Sequence, residues 1–237
     1  MSKQASAGSG KDNFTRWLVI GMVALVVVTG VVFSMMSSST KANESFDALD
    51  GYTLGAPVSM TLDSNAGAGL LMNPGAPVRI DIWEDPQCPS CRAFESSLGT
   101  YIETMIRSQR ATVAYHVLSF LGPESVRTAN AMMCAADESQ YLDFQRSIYV
   151  VQPALQNSGF YSNENLIKIG EKIGIKSEKF KECVTNGAKL ELVKTHADSM
   201  AAYNVKGTPT VFINGKVWQP SSNGFDENEF RLAVEAG

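Results

Sequence analysis

The sequence predicts an α/β domain whose sheet is interrupted by a block of helices, preceded by one N-terminal transmembrane helix. Three observations predict it. Residues 17–36 are apolar and uncharged. A strand signal, a helix opening at a Cys-x-x-Cys and a second strand signal follow one another in the βαβ order. A stretch of about eighty residues without a strand signal then separates that unit from a closing hairpin.

The run Trp17–Met36, WLVIGMVALVVVTGVVFSMM, carries no charged side chain. At about 1.5 Å of rise per residue it spans roughly 30 Å, the thickness of a hydrocarbon core. Lys3, Lys11 and Arg16 precede it, while Glu44, Asp47 and Asp50 follow soon after Lys41. The positive-inside bias therefore predicts a cytoplasmic N-terminus and an extracytoplasmic domain, single-pass in the cell membrane. Residues 1–16 read as a disordered cytoplasmic tail, 17–36 as the anchor, 37–51 as a small polar tether and 52–237 as the folded domain. The alternative is a cleaved signal peptide, whose apolar part would run about 7–15 residues. Ser37–Ala42 offers only a weak cleavage site. Either way the domain lies where disulfides persist.

Charged residues make up 19% of the chain and the formal net charge is −4. That is ordinary globular composition, and it leaves no basic footprint for nucleic acid.

Within the domain, Tyr52–Leu62 and Ala68–Met72 read as short strands or extended segments, and Asn73-Pro74-Gly75 as a turn. Pro77–Trp83 alternates in period two, which predicts a strand. From Cys91 to Arg107 apolar residues recur at helical spacing (Phe94, Leu98, Tyr101, Ile102, Met105, Ile106). Ala111–Phe120 is a second strand. A helical insertion is predicted at about 123–203, with helices over Ser125–Glu138, Gln140–Val151, Glu164–Ile173 capped by Asn163, a segment started by Ser177, and Lys189–Ala202. Gly174 and Gly187 mark helix ends. Thr210–Ile213, the turn Asn214-Gly215 and Lys216–Trp218 form a hairpin signal, and Asp226 can cap a last helix.

The chemistry sits at Cys88-Pro89-Ser90-Cys91, where a strand ends and a helix begins. The first N–H groups of a helix are unpaired and carry partial positive charge, so a thiolate there is stabilised and its pKa falls. Pro89 loses nothing at the first helical position. Cys91, one turn on, can close a disulfide with Cys88. This predicts Cys88 as nucleophile and Cys91 as resolving thiol. The alternatives are an inert bridge and a zinc half-site. Zinc needs two more close ligands, and the remaining candidates are Cys134, Cys183, His116 and His196, all distant in sequence. No metal and no cofactor is expected.

The segment WEDPQCPSCRAFE, from Trp83 to Glu95, resembles the active-site segment of DsbA-like thiol:disulfide oxidoreductases of the thioredoxin superfamily. Gly207-Thr208-Pro209-Thr210-Val211-Phe212-Ile213-Asn214-Gly215 resembles that family's cis-proline loop, and the helical insertion between them matches in order. The resemblance covers roughly Pro77–Gly237 and implies a thioredoxin-like fold. It implies that Pro209 is cis and that Thr208 faces the cysteines, presenting backbone to a bound peptide beside Pro89 and Ser90. Without it, Pro209 would read as a trans turn proline. It implies an oxidoreductase introducing disulfides into unfolded, reduced secreted or surface polypeptides, reoxidised by a membrane partner of the DsbB or VKOR type. Many relatives carry a buried acid six positions before the first cysteine, where this chain has Ile82. Asp81, Glu84 and Asp85 are close, with strand neighbours on opposite faces. Asp85 is the preferred candidate proton relay in its place, against a solvated loop acid. The Pro-Ser dipeptide lacks the histidine of strongly oxidising relatives, so direction stays open between oxidase and reductase or isomerase. No dimerisation module is legible, and a monomer is expected. A non-catalytic, membrane-tethered binding or chaperone domain is the alternative from another class.

Two unpaired thiols are a liability in an oxidising compartment. Some DsbA-like relatives bridge their insertion, and a Cys134–Cys183 disulfide would staple it here, closing a loop of about fifty residues worth roughly 4 kcal/mol. Two buried free cysteines are the alternative. His116, in an apolar strand, reads as a core histidine; His196, between Lys194 and Asp198, as part of a solvated face. Trp83 is expected to pack near the cysteines, and Phe120-Leu121-Gly122-Pro123 either lines a peptide groove or turns from strand to helix.

Overall fold

A computed structural model describes residues 46–63, 67, 69–222 and 224–236. The expected tail and anchor lie outside the described residues. No helix among the described residues is long and apolar enough to cross a membrane.

The centre of the fold is strand β3, Val78–Glu84, hydrogen-bonded on both sides. On one side runs β4, Ala111–Val117, parallel, in a register from Val78↔Ala111 to Glu84↔Val117. The connection is helix α1, Pro89–Arg107. On the other side β5, Thr210–Ile213, is antiparallel, pairing Trp83↔Thr210 and Ile80↔Ile213. Strand β6, Lys216–Trp218, turns back through Asn214-Gly215, both at positive φ (48° and 77°), the two-residue turn that matches strand twist. Beyond β4 lie β2, Leu70–Met72, and β1, Thr61–Leu62, both antiparallel, giving the order β1-β2-β4-β3-β5-β6.

Five helices stand between β4 and β5: α2 Pro123–Asp137, α3 Tyr141–Val150, α4 Asn163–Ile173, α5 Glu178–Asn186 and α6 Leu190–Ala202. A last helix, α7 Glu227–Glu235, packs its Phe230 edge-on to Phe94 of α1 at 6.3 Å. Asp226 caps it by accepting from Glu229 N, and Ser177 caps α5 through Phe180 N. Gly174 and Gly187 end α4 and α5 in the left-handed region.

The helical face of the sheet is apolar. Ile80 and Ile82 of β3 meet Phe94, Leu98 and Ile102 of α1 in one buried cluster. On the opposite face the registered pair Trp83 and His116 stack with ring centroids 3.8 Å apart.

Several sequence expectations are corrected. Of Tyr52–Leu62 only Thr61–Leu62 pairs as strand. The cap of α4 is Ser162, accepting from Asn165 N, with Asn163 already inside the helix. Leu49 is buried in the core within a 3-10 turn, Asp47–Leu49, so packing begins ahead of residue 52. His196 is fully buried and its Nδ1 accepts from Val117 N at 3.2 Å. The reason is helical geometry: residues two apart point to opposite sides, so the exposed Lys194–Asp198 pair faces away from it.

Candidate active site

β3 and β5 deliver two loops to one point. Residue 84 ends β3, and the Asp85–Gln87 loop leads to Cys88, the extended N-cap residue of α1 with Pro89 in its first turn. Thr210 opens β5, so the Thr208–Pro209 peptide, which is cis, lies beside that same end of the sheet. The Cys88 thiol donates to the Thr208 carbonyl oxygen at 3.4 Å. Both Cys88 and Cys91 are free thiols.

The two sulfurs differ in environment. Cys88 keeps 8% of its surface exposed and Cys91 none. The Cys88 pKa is held down at about 5, first by a hydrogen bond from the Cys91 thiol, with the Thr208 side chain and the Cys91 and Ser90 amides adding to it against desolvation. Burial pushes the Cys91 thiol well above its ordinary value, helped by its hydrogen bond to Cys88 and by the Glu84 charge.

Asp85 is buried, which excludes a solvated loop acid. Its Oδ1 accepts from Gln87 N at 2.9 Å and from Ser125 Oγ at 2.6 Å, and its Oδ2 accepts from Leu121 N at 3.1 Å. Burial raises its pKa. It thus clasps the active-site loop to the start of the insertion. The far end of α3 holds the same loop: Tyr149 Oη donates to Asp85 O at 3.3 Å, and Gln152 Nε2 donates to Pro86 O at 2.8 Å and Cys88 O at 3.2 Å. Tyr149 and Leu121 pack on both cysteines. Leu121 therefore lies against the pair, while its neighbour Phe120 is exposed.

Sequence reasoning ranked Glu84 behind Asp85 as proton relay and missed Glu95; Glu84 and Glu95 both lie beneath the pair. Gln145 Nε2 donates to Glu84 Oε2 at 2.8 Å and to Glu95 Oε1 at 3.2 Å, and Tyr115 Oη donates to Glu95 at 3.4 Å. Burial, then the nearby Glu95 charge, pushes Glu84 well above the carboxylate range. Burial lifts Glu95 to about 7. A signal existed: strand residues two apart share a face, so Glu84 lies on the same side as the buried Ile82.

Away from this site, Cys134 of α2 and Cys183 of α5 form a disulfide, 49 residues apart with Cα atoms at 5.9 Å. Among the described residues no group of three or more His, Cys, Asp or Glu is placed to hold a metal ion.

A parallel β3–α1–β4 unit, an antiparallel β5 entered through a cis-proline, and a Cys-x-x-Cys opening α1 define a thioredoxin-like fold with a helical insertion. Residues 69–230 match the family described as thioredoxin, and the chain belongs to that family. The serine/threonine-protein kinase PknE of Mycobacterium tuberculosis is 28% identical over 157 residues, 60% of this chain and 28% of the kinase. The chain therefore spans under a third of that relative's length. The probable disulfide bond formation protein D of Bacillus anthracis is 24% identical over 213 residues, 86% of this chain and 88% of that protein. The reduced disulfide bond oxidoreductase DsbG of Mycobacterium tuberculosis superposes with a TM-score of 0.60 at 25% identity, covering 80% of this chain and 91% of that one.

Proposed function

We propose that the chain is an extracytoplasmic thiol–disulfide oxidoreductase that forms disulfides in reduced secreted or surface polypeptides. Cys88 is the nucleophile and Cys91 the resolving thiol. The observation that carries this is the asymmetry of the pair: one thiol held near 5 and the other pushed well above its ordinary value. The names of the Bacillus and Mycobacterium relatives support the same reading.

In the oxidised protein a substrate thiolate attacks the Cys88 sulfur. The Cys88–Cys91 bond breaks, its electron pair leaves on Cys91, and a mixed disulfide forms against Thr208-Pro209, with Pro89 and Ser90 flanking it. Cys91, a strong base when ionised, takes a proton. We assign the donor as Glu84 in preference to Asp85, whose oxygens already carry three donors. The second substrate thiolate then attacks the substrate sulfur, and Cys88 leaves as a stabilised thiolate. Two electrons have passed to the pair, and a quinone-linked membrane reoxidase of the DsbB or VKOR type removes them.

The apolar run 17–36 and its flanking charges support a single-pass anchor with residues 1–16 cytoplasmic and a short tether leading to the domain whose packing includes Leu49, the catalytic domain lying outside. Oxidative refolding of a reduced substrate by full-length protein, compared with Cys88→Ser, tests the catalytic reading. Loss of turnover in the variant is expected. Equal refolding by both proteins, or peptide binding without turnover in the wild type, overturns it in favour of a binding domain. A measured reduction potential far below the extracytoplasmic poise would reverse the direction to reductase.

A further inference from the structure

The redox pair has two flanks. Thr208-Pro209 lies on one. On the other, α1 faces the end of α3 across an open cleft. Pro89, Arg92, Ala93 and Ser96 follow the i, i+3, i+4, i+7 spacing and form one stripe of α1. That stripe floors a cavity of about 310 Å³ walled by Gln152, Pro153 and Ala154. Arg92 and Ser96 also line a second cavity of about 240 Å³, bordered by Glu95, Arg146, Tyr149 and Val150. The shared residues make the two one continuous trough starting at Pro89, next to the nucleophile.

The trough holds two guanidinium groups, with the Glu95 carboxyl lining it beside Arg146. Arg92 is exposed, and its Nη1 donates to the Gln152 carbonyl at 3.2 Å. Among the described residues no carboxylate lies within ion-pair distance of it. Arg146, with 41% of its side chain exposed, shares the single carboxylate of Glu103 with Arg107. The walls between these cations are apolar: Pro153, Ala154 and the exposed Val150.

We propose that this trough is a second substrate subsite, which takes an acidic side chain flanking the cysteine engaged at Cys88, with Arg92 setting the preference. It rests on the thiol–disulfide exchange proposed above. A polypeptide lying along Thr208-Pro209 would cross the N-terminus of α1 at Pro89 and continue into the trough. An acidic residue beside Arg92 meets a guanidinium with no carboxylate at ion-pair distance, while a basic one there meets a like charge; Glu95 lies deeper in the trough, toward Arg146.

The test uses full-length oxidised protein and two reduced dicysteine peptides, identical except for Asp or Lys two to four residues from one cysteine. The readout is the ratio of kcat/KM for the two peptides within each enzyme, so any change in folding or redox poise common to both cancels. Wild type is expected to favour the Asp peptide by roughly 5-fold at low salt, with the preference shrinking as ionic strength rises. Arg92→Glu should invert the ratio. Arg92→Gln, which keeps a donor for the Gln152 carbonyl, should bring it close to one. Oxidation of both peptides at equal rates by the wild type, or a ratio unmoved by either variant, overturns the subsite and leaves the exchange activity standing. Failure to oxidise either peptide sinks the exchange reading, and the subsite with it.

Discussion

The sulfur of Cys88 sits 3.4 Å from the carbonyl oxygen of Thr208, although 120 residues separate the two in sequence. The sheet brings them together. Trp83, near the end of β3, pairs with Thr210 at the start of β5, so the segment leaving one strand and the segment entering the other occupy the same edge. The helical insertion occupies the interval between β4 and β5 without disturbing that register, and its own α3 and α2 reach back to hold the loop before Cys88.

The lowered pKa of Cys88 makes the reduced protein's stability depend on pH in a defined sense. The folded value is about 5 against an ordinary value of 9.0, so the stabilisation is fully present above pH 9 and is lost as pH falls through 5. At pH 7 the folded thiol is ionised and the unfolded one is not, a difference worth about 3 kcal/mol. Urea unfolding of reduced wild type and reduced Cys88→Ser should therefore show the wild-type advantage shrinking by about that amount between pH 7 and pH 4. A constant difference across that range would mean the sulfur is not held as an anion.

The Cys134–Cys183 bridge ties α2 to α5, far along the chain from the redox motif. Replacing both with alanine should lower unfolding stability by up to roughly 4 kcal/mol, the chain-entropy value for a loop of this length. Because neither residue touches the Cys88 environment, thiol titration of Cys88 in the double variant should give the same midpoint as wild type. A shifted midpoint would show that the insertion transmits strain to the motif.

Most of the fold was legible in the sequence, and the failures near the site share one cause. Period-two alternation around Ile80 and the helical spacing from Phe94 to Ile106 report burial against a core, and β3, α1 and β4 follow from them. The motif's position at a strand-to-helix junction was equally plain. What the sequence could not show is which polar residues the fold buries. Asp81 and Glu84 are buried because a central strand covered on both faces has no solvent side on which to leave a carboxylate, and Asp85, in the loop after it, is buried beneath Leu121 and Ser125 at the start of the insertion. His196 was lost in the same way, read from charged neighbours that point elsewhere. The origin of the low Cys88 pKa also differs in weight from expectation: the Cys91 hydrogen bond outranks the helix amides, and that ranking depends on a sulfur–sulfur geometry that spacing alone does not contain.

Gln152 carries a load that no motif announces. Its buried amide satisfies the carbonyls of Pro86 and Cys88, while its own carbonyl accepts from Arg92. Gln152→Leu keeps the volume and removes both donated bonds, leaving the Pro86 carbonyl without its side-chain donor while the Cys88 carbonyl keeps only its bond from Arg92 N. That should cost about 2 kcal/mol in unfolding stability. It should also speed amide hydrogen exchange in the first turn of α1, read by mass spectrometry on peptides covering Cys88 to Phe94. Unchanged exchange there would mean that Asp85 and Tyr149 hold the loop unaided.

Glu95 supplies the sharpest sign test. Burial lifts its pKa to about 7 from an ordinary 4.5, so its folded form prefers to keep the proton. A raised carboxyl pKa contributes stability that is fully present below the unfolded value near 4.5 and is lost as pH rises through about 7. The carboxyl also borders the trough beside Arg146, where water screens part of the effect, so the loss by pH 8 should be roughly 2 kcal/mol rather than the full equivalent of the shift. Glu95→Gln has no charge to bury, and its amide oxygen can still accept from Gln145. The variant should match wild type at pH 4 and exceed it by about that margin at pH 8, measured from urea midpoints with the disulfides intact. An advantage that stays flat with pH would place the carboxylate in contact with water throughout, and would remove Glu95 as the charge that keeps Glu84 protonated beneath Cys91.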